Sequence, residues 1–144
     1  MTEPTVDQDI AHVLGGFPEV TTAWLFGSEA RGQARPESDV DVAILLRDRR
    51  LTALEVLPML GHLAAKLEAV APGRRIDLVL LEHQGPVFQH RVLSEGRLVY
   101  DVEPARRVDF ESDSFVRYFD FLPTHEIAER HALSGLGAWF EGER

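Results

Sequence analysis

Apolar residues along the 144-residue chain follow helical and strand periodicity in turn. The first helical pattern ends at Gly15-Gly16 and has one apolar face, formed by Val6, Ile10, Val13 and Leu14. Residues 20–26 (VTTAWLF) are β-branched and aromatic, which predicts a strand that runs into a turn at Gly27-Ser28. This succession of helix and strand patterns favours an α/β fold.

The rest of the chain continues the alternation. The predicted segments are a strand over 38–46 (SDVDVAILL), an amphipathic helix over 51–73 that contains Pro58, a strand over 74–82 (RRIDLVLLE), a short helix over 86–96 and a strand over 97–101. From about residue 104 the pattern is helical, with a break at Pro123. The sequence therefore predicts a single domain over residues 1–144 with a helical tail.

Composition narrows the possible functions. Hydrophobic residues make up 44% of the chain, and neither a membrane-spanning run nor a signal peptide is found, so we expect a cytoplasmic protein that does not enter a membrane. The chain has no cysteine and its six histidines are scattered, so carboxylates are the expected metal ligands. A net charge of −9 disfavours direct binding of nucleic acid and leaves a basic protein partner open.

Two carboxylates on one predicted strand need an explanation. Alternation places Asp39 and Asp41 on the same face, about 6–7 Å apart, where they repel each other unless cations or strong donors lie between them. An exposed edge strand would explain the pair without any function. Asp77 is a further acid within an apolar strand, however. Neighbouring parallel strands would bring all three carboxylates and the Gly27-Ser28 turn to one edge of the sheet.

The Gly27-Ser28 turn is a candidate phosphate-binding element, although an ordinary strand-to-helix turn is the alternative. Glycine after a strand allows close approach of a ligand, and a short helical stretch over 28–32 (SEARG) would point N–H groups at an anion. Ser28 adds a hydroxyl, while Arg31 and Arg35 add positive charge. Three carboxylates beside such a turn favour a magnesium–nucleotide site, because Mg²⁺ takes oxygen ligands from carboxylates and substrate phosphates.

These motifs resemble the signature of the DNA polymerase beta-like nucleotidyltransferase superfamily: Gly27-Ser28, ten residues, Asp39-x-Asp41, and Asp77 on a later strand. The resemblance implies an α/β nucleotidyltransferase core, with a mixed sheet flanked by helices and a C-terminal helical tail, that uses two Mg²⁺ ions. It assigns Asp39 and Asp41 to the metal that accompanies the triphosphate. It assigns Asp77 to the second metal, where this carboxylate could also accept a proton, and Gly27 and Ser28 to the β- and γ-phosphates.

Three longer segments are similar to the minimal nucleotidyltransferase (MNT) group, whose members act as antitoxins to HEPN-domain ribonucleases: FGSEARGQARPESDVDVAIL, RRIDLVLL and FESDSFVRYFDFLP. That similarity implies ATP as substrate, a HEPN-type ribonuclease as partner in a hetero-oligomer, and AMP transfer to a tyrosine of that partner. The short chain agrees, because the tail leaves little room for an acceptor pocket. Two alternatives stay open: a small-molecule nucleotidyltransferase of the antibiotic-modifying type, and an antitoxin that neutralises by binding alone.

Three further features bear on this interpretation. Glu29 departs from the basic or aromatic residue that related proteins often carry, which leaves the number of phosphate contacts open. Tyr100 and Tyr118 are candidates for self-modification. Six apolar tail residues are candidates to anchor a partner, with core burial as the equal alternative: Phe115, Phe119, Leu122, Ile127, Trp139 and Phe140.

Overall fold

The computed structural model describes residues 6–30, 32 and 38–122, in which four strands and four helices follow the order αββαβαβα. The strands are β1 (Val20–Phe26), β2 (Val40–Leu46), β3 (Ile76–Leu80) and β4 (Arg97–Asp101). The helices are α1 (Val6–Leu14), α2 (Ala53–Val70), α3 (Pro86–Glu95) and α4, helical over 104–122, while a 3-10 turn covers Leu81–His83. The predicted α/β class is confirmed. Pro123, Ile127, Trp139 and Phe140 lie outside the described residues.

The strands form one mixed sheet in the order β3-β2-β1-β4. β2 and β3 are parallel and joined through α2, whereas β1 is antiparallel to both β2 and β4. The parallel neighbours that the sequence argument assumed are therefore wrong for β1. The candidate residues still share one end of the sheet, because Gly27 follows the end of β1 while Asp39, Asp41 and Asp77 lie where β2 and β3 begin. We call this the Gly27 end, and the opposite end, where β2 finishes, the Leu46 end.

The sheet separates two apolar cores. The larger core lies beneath α1 and α2 and includes Ile10, Leu14, Val40, Val42, Ile44, Leu63 and Leu67. The smaller core lies beneath α3 and α4 and includes Trp24, Ala43, Leu45, Leu81, Val92 and Phe110. β2 is a central strand and is buried on both faces. Its alternation places Asp41, together with Ala43 and Leu45, on the face covered by α3 and α4.

Local chemistry sets the bounds of α2. The Thr52 hydroxyl accepts a hydrogen bond from the Glu55 backbone N–H at 3.2 Å, the arrangement of a helix N-cap. The helix continues through Pro58 and ends at Val70. It is thus shorter at both ends than the predicted 51–73, because Thr52 caps the helix and Gly73 has a positive φ of 80°. In the part of the chain that the structure describes, no helix has the length and apolar content to cross a membrane.

Candidate active site

Asp41 and Asp77 lie side by side at the Gly27 end. They are register partners on the parallel strands β2 and β3, so their side chains leave the sheet on the same face. On its other side Asp41 is paired with Phe26, the last residue of β1. Because neighbouring strands lie about 4.8 Å apart, one small ligand can contact both carboxylates.

Asp39 is the third predicted carboxylate at this end of the sheet. It lies just outside β2, two residues before Asp41, and is exposed, as is Asp77. The side chains of Asp39 and Asp77 make no hydrogen bond and no ion pair with a residue that the structure describes. Exposed carboxylates without a donor retain their affinity for a cation, whose charge would also relieve their mutual repulsion.

The turn at Gly27 brings the backbone against the Asp41 carboxylate. Gly27 has a φ of +68°, which L side chains rarely adopt, and a Cβ atom there would overlap Oδ2 of Asp41. Glycine is therefore required both by conformation and by space. Ser28 is half-buried in the same turn. The predicted helical stretch after Gly27 is wrong over residues 28–30, which form a turn. This segment therefore offers a phosphate the close approach to the backbone at Gly27, and no helix N-terminus over residues 28–30.

The structure adds a cation that sequence reasoning missed. The predicted phosphate-binding residues Arg31 and Arg35 lie outside the described residues. Arg91 of α3 is exposed and lines a hollow of about 180 Å³ together with Phe26, Gly27, Asp41, Phe88 and Glu95. The helical spacing of Phe88 and Arg91 could have placed both on one face of the predicted helix. Only the fold could have placed that face beside Gly27.

Glu29 is buried and holds the turn in place through two arginines. It forms ion pairs with Arg74 and, at 3.9 Å, with Arg97. Arg74 also donates a hydrogen bond to the carbonyl oxygen of Ser38 at 2.7 Å, and Arg97 donates one to the carbonyl oxygen of Glu29 at 3.2 Å. Arg74 thus joins both ends of the connection between β1 and β2. Glu29, which replaces the basic or aromatic residue expected at this position, is therefore paired with arginines that stabilise the turn.

The donor set at the Gly27 end fits Mg²⁺. Within the described residues, no three His, Cys, Asp or Glu side chains gather closely enough to hold a metal ion by themselves. Mg²⁺ does not require such a cage, since it usually binds through one or two carboxylates together with water and substrate phosphates. Asp41 and Asp77 are adjacent, and the Gly27 turn leaves backbone beside them for a phosphate. Asp39, Asp41 and Asp77 are thus the residues that would hold the ion.

Comparison with protein families gives one match over most of the chain. The family model described as Polymerase beta, Nucleotidyltransferase matches residues 8–105. The matched segment includes Gly27, Ser28, Asp39, Asp41 and Asp77 and spans β1 to β4. No curated protein is similar enough to count as a match.

Chains of solved toxin–antitoxin complexes share the fold. A structure of a toxin–antitoxin with AMP-PNP aligns with a TM-score of 0.60 at 21% identity, covering 93% of this chain and 98% of that chain. A complex of tri-AMPylated Shewanella oneidensis HEPN toxin with MNT antitoxin aligns with a TM-score of 0.54 at 18% identity, covering 94% of this chain and 96% of that chain. At these identities the likeness shows a common fold.

Proposed function

The chain belongs to the polymerase beta nucleotidyltransferase family, and we propose that it is an antitoxin that transfers AMP from ATP to a tyrosine of a cognate HEPN-type ribonuclease. The observation that carries the proposal is the register pairing of Asp41 with Asp77 beside the Gly27 turn. This arrangement combines two carboxylates with a place where a triphosphate can approach the backbone closely. Carboxylates that can hold metal ions beside a bound triphosphate are what an in-line nucleotidyl transfer uses, which supports the proposal.

The reaction would be a displacement at the α-phosphorus of ATP. The tyrosine oxygen forms a bond to that phosphorus, the bond to the oxygen bridging towards the β-phosphate breaks, and pyrophosphate leaves. The hydroxyl proton passes to a base. Asp77 is the candidate for that role, because β3 is farther from Gly27 than β2 is, so this carboxylate lies on the side away from the turn that would hold the phosphates.

The chain's own residues divide into two groups in this mechanism. Gly27 and Ser28 receive the β- and γ-phosphates, and Arg91 adds positive charge from α3. The carboxylates of Asp39 and Asp41 would hold the Mg²⁺ that accompanies the triphosphate, and Asp77, the neighbouring carboxylate on β3, would help to hold a second ion. When bound, Mg²⁺ supplies the positive charge that stabilises the leaving pyrophosphate.

A protein acceptor is supported by two observations. The chain shares its fold with chains of toxin–antitoxin complexes, one described with AMP-PNP and another with an AMPylated HEPN toxin. The net charge of −9 can steer a basic ribonuclease towards this chain, an attraction that weakens as salt is raised. We therefore propose a hetero-oligomer with the ribonuclease.

One experiment separates this proposal from its alternatives. The chain is incubated with Mg²⁺ and ATP labelled at the α-phosphate, either alone, with a panel of antibiotics, or with the cognate ribonuclease. Label on the ribonuclease that disappears with Asp41→Asn is the expected result. Label on an antibiotic would indicate a small-molecule enzyme, and label on Tyr100 or Tyr118 would indicate self-modification. Inhibition of RNA cleavage without any label would mean that the chain neutralises by binding.

A further inference from the structure

A second, larger groove opens beside Asp77 at the edge of the sheet. It has a volume of about 340 Å³, and its lining includes Phe26, Leu60, Asp77, Val79, His83 and Phe88. β3 is an edge strand, so a partner can approach this groove from outside the sheet. We name it the Asp77 groove.

The Asp77 groove is separated from the hollow at Gly27 by a pair of aromatic rings. Phe26 and Phe88 line both spaces, and their rings meet edge to face with centroids 5.5 Å apart. Asp41 and Arg91 line only the hollow, whereas Asp77 lines only the groove. The hollow and the groove therefore each contain one of two neighbouring carboxylates. Asp41 lies in the hollow beside the Gly27 turn, and Asp77 lies in the groove at the sheet edge.

An exposed apolar stripe on α2 leads to the same groove. Leu54 is 76% exposed and Leu57 is 54% exposed. Leu57 is one helical turn from both Ala53 and Leu60, which line the groove, so these residues share a face of the helix. We name Leu54, Leu57 and Leu60 the α2 stripe. Adjacent exposed leucines on a helix that continues into a groove are typical of a protein contact surface.

The geometry points to the α2 stripe as the docking surface for the acceptor protein, with an aromatic side chain of that protein inserted into the Asp77 groove. This inference rests on the proposed function, because it assumes that Asp77 faces the acceptor. The phenol ring would pack against Phe26, Phe88 and Val79 while its hydroxyl lies near Asp77. That oxygen would then attack the α-phosphorus of ATP, with loss of its proton and release of pyrophosphate.

The chemistry of the groove favours tyrosine over other hydroxyl groups. A tyrosine side chain has an apolar ring and a polar tip, and aromatic rings pack well edge to face. Serine and threonine are too short to cover the apolar walls and bring their hydroxyl to Asp77. A sugar carries several further hydroxyl groups, and those placed against the apolar walls formed by Phe26 and Val79 would lose their hydrogen bonds to water, which is costly.

Helix α4 carries a second pair of exposed apolar residues, which is the alternative to the α2 stripe as a candidate docking surface. Phe119 is 61% exposed, and Val116 of the same helix is 59% exposed. The predicted anchor Phe115 and the adjacent Tyr118 instead pack against His90, with Tyr118 stacked at a centroid distance of 3.7 Å. Val116 therefore offers a matched control for Leu57, because both are apolar helix residues of similar exposure on different surfaces.

The test compares Leu57→Ser and Leu54→Ser with Val116→Ser in the full chain. Calorimetric titration measures the Kd for the cognate ribonuclease, and labelled ATP measures the KM for ribonuclease and for ATP. We expect each α2 variant to weaken ribonuclease binding by about tenfold and to leave the KM for ATP unchanged. Val116→Ser should change neither. Weaker binding by Val116→Ser with intact binding by Leu57→Ser would overturn the assignment of the surface.

The occupant of the groove is tested separately with Val79→Ala, which shortens an apolar wall residue that lines the groove and not the hollow at Gly27. A rise in the KM for ribonuclease, with the KM for ATP unchanged, is expected. A rise confined to the KM for ATP would mean that the groove holds the adenine base instead, and the inference would be wrong. If the wild-type chain transfers no AMP at all, the proposed function fails. The Kd values of the α2 variants would still decide whether the α2 stripe is the docking surface.

Discussion

The candidate carboxylates at the Gly27 end of the sheet differ from the charged groups at the Leu46 end in their partners. At the Leu46 end, the buried Arg106 pairs with Glu82 and donates hydrogen bonds to the carbonyl oxygen of Leu46 at 3.0 and 3.3 Å. Arg107 pairs with Asp101 and with Glu111, each at 2.7 Å. At the Gly27 end, Asp39 and Asp77 make no such contacts with described residues.

The difference separates charges that stabilise the fold from carboxylates that are available to a ligand. The pairs at the Leu46 end fasten α4 to the sheet, since Arg106 and Arg107 belong to that helix. The hydrogen bond from Arg107 to Asp101 raises the pKa of this guanidinium most, and the hydrogen bond to Glu111 raises it further. Arg107 therefore stays charged throughout the physiological range. Carboxylates without cationic partners, such as Asp39 and Asp77 among the described residues, lower stability when other carboxylates lie nearby, and a bound metal–nucleotide complex would offset that cost.

Removing a carboxylate at the Gly27 end should give the largest change in activity. We expect Asp41→Asn to reduce AMP transfer by at least about 100-fold, because it removes a metal ligand, and Asp39→Asn to act likewise. The melting temperature should stay the same or rise, since repulsion from neighbouring carboxylates is lost. Labelled ATP and calorimetry provide the two readouts. Asp109→Asn, an exposed carboxylate of α4, is the control, and full activity in Asp41→Asn would exclude a metal-binding role.

Adding one methyl group at the Gly27 turn should also be severe. Gly27→Ala is expected to lower transfer at least about tenfold and to cost about 1–2 kcal/mol of unfolding free energy, because the residue has a positive φ and its Cβ would displace Asp41. Gly61→Ala is the matched control. A Cβ at Gly61 meets no atom within 4 Å, so alanine in this helix should stabilise the protein by about 0.5–1 kcal/mol. Equal behaviour of the two variants would contradict the strained turn.

Breaking a pair at the Leu46 end should affect stability and leave the chemistry alone. Glu82→Gln removes the charge partner of the buried Arg106 and is expected to cost about 1–2 kcal/mol, less than for a fully buried pair because Glu82 is 24% exposed. Urea unfolding measures the loss. The transfer rate of the folded protein should be unchanged, and a selective fall in that rate would show that the two ends are not independent.

The smallest expected effect belongs to Arg91. Its side chain is exposed beside the Gly27 turn, so Arg91→Ala should raise the KM for ATP several-fold while the unfolding free energy changes by less than about 0.5 kcal/mol. Arg91→Lys should restore most of the affinity if charge is what matters. An unchanged KM for ATP in the alanine variant would remove Arg91 from the nucleotide site.

The local features of this fold could be predicted from the sequence. Short-range patterns were sufficient for the apolar face of α1, the presence of the strand β2 and the position of Asp77 within an apolar strand. Once β2 and β3 are taken as parallel neighbours, which the intervening helix favours, Asp41 and Asp77 are expected at the same end of the sheet. Only the structure gives their register pairing.

The remaining features depend on contacts between distant segments. The antiparallel direction of β1 is a property of strand pairing across the sheet and leaves no periodic signal in β1 itself. The network around Glu29 joins residues that are far apart in sequence, as in the hydrogen bonds from Arg97 to Asp7 at 2.8 and 2.9 Å. From the sequence alone, charged residues of this kind are predicted to be exposed, because their partners are unknown.

Mass spectrometry of the cognate ribonuclease tests directly whether this chain transfers AMP to one of its tyrosines. The ribonuclease is incubated with this chain, ATP and Mg²⁺, its mass is measured, the modified peptide is mapped, and RNA cleavage is assayed on the same sample. We expect added AMP on a tyrosine and loss of RNA cleavage with the wild-type chain, and neither with Asp39→Asn. Neutralisation that persists with Asp39→Asn and without added mass would contradict this expectation, because the chain would then act by binding alone.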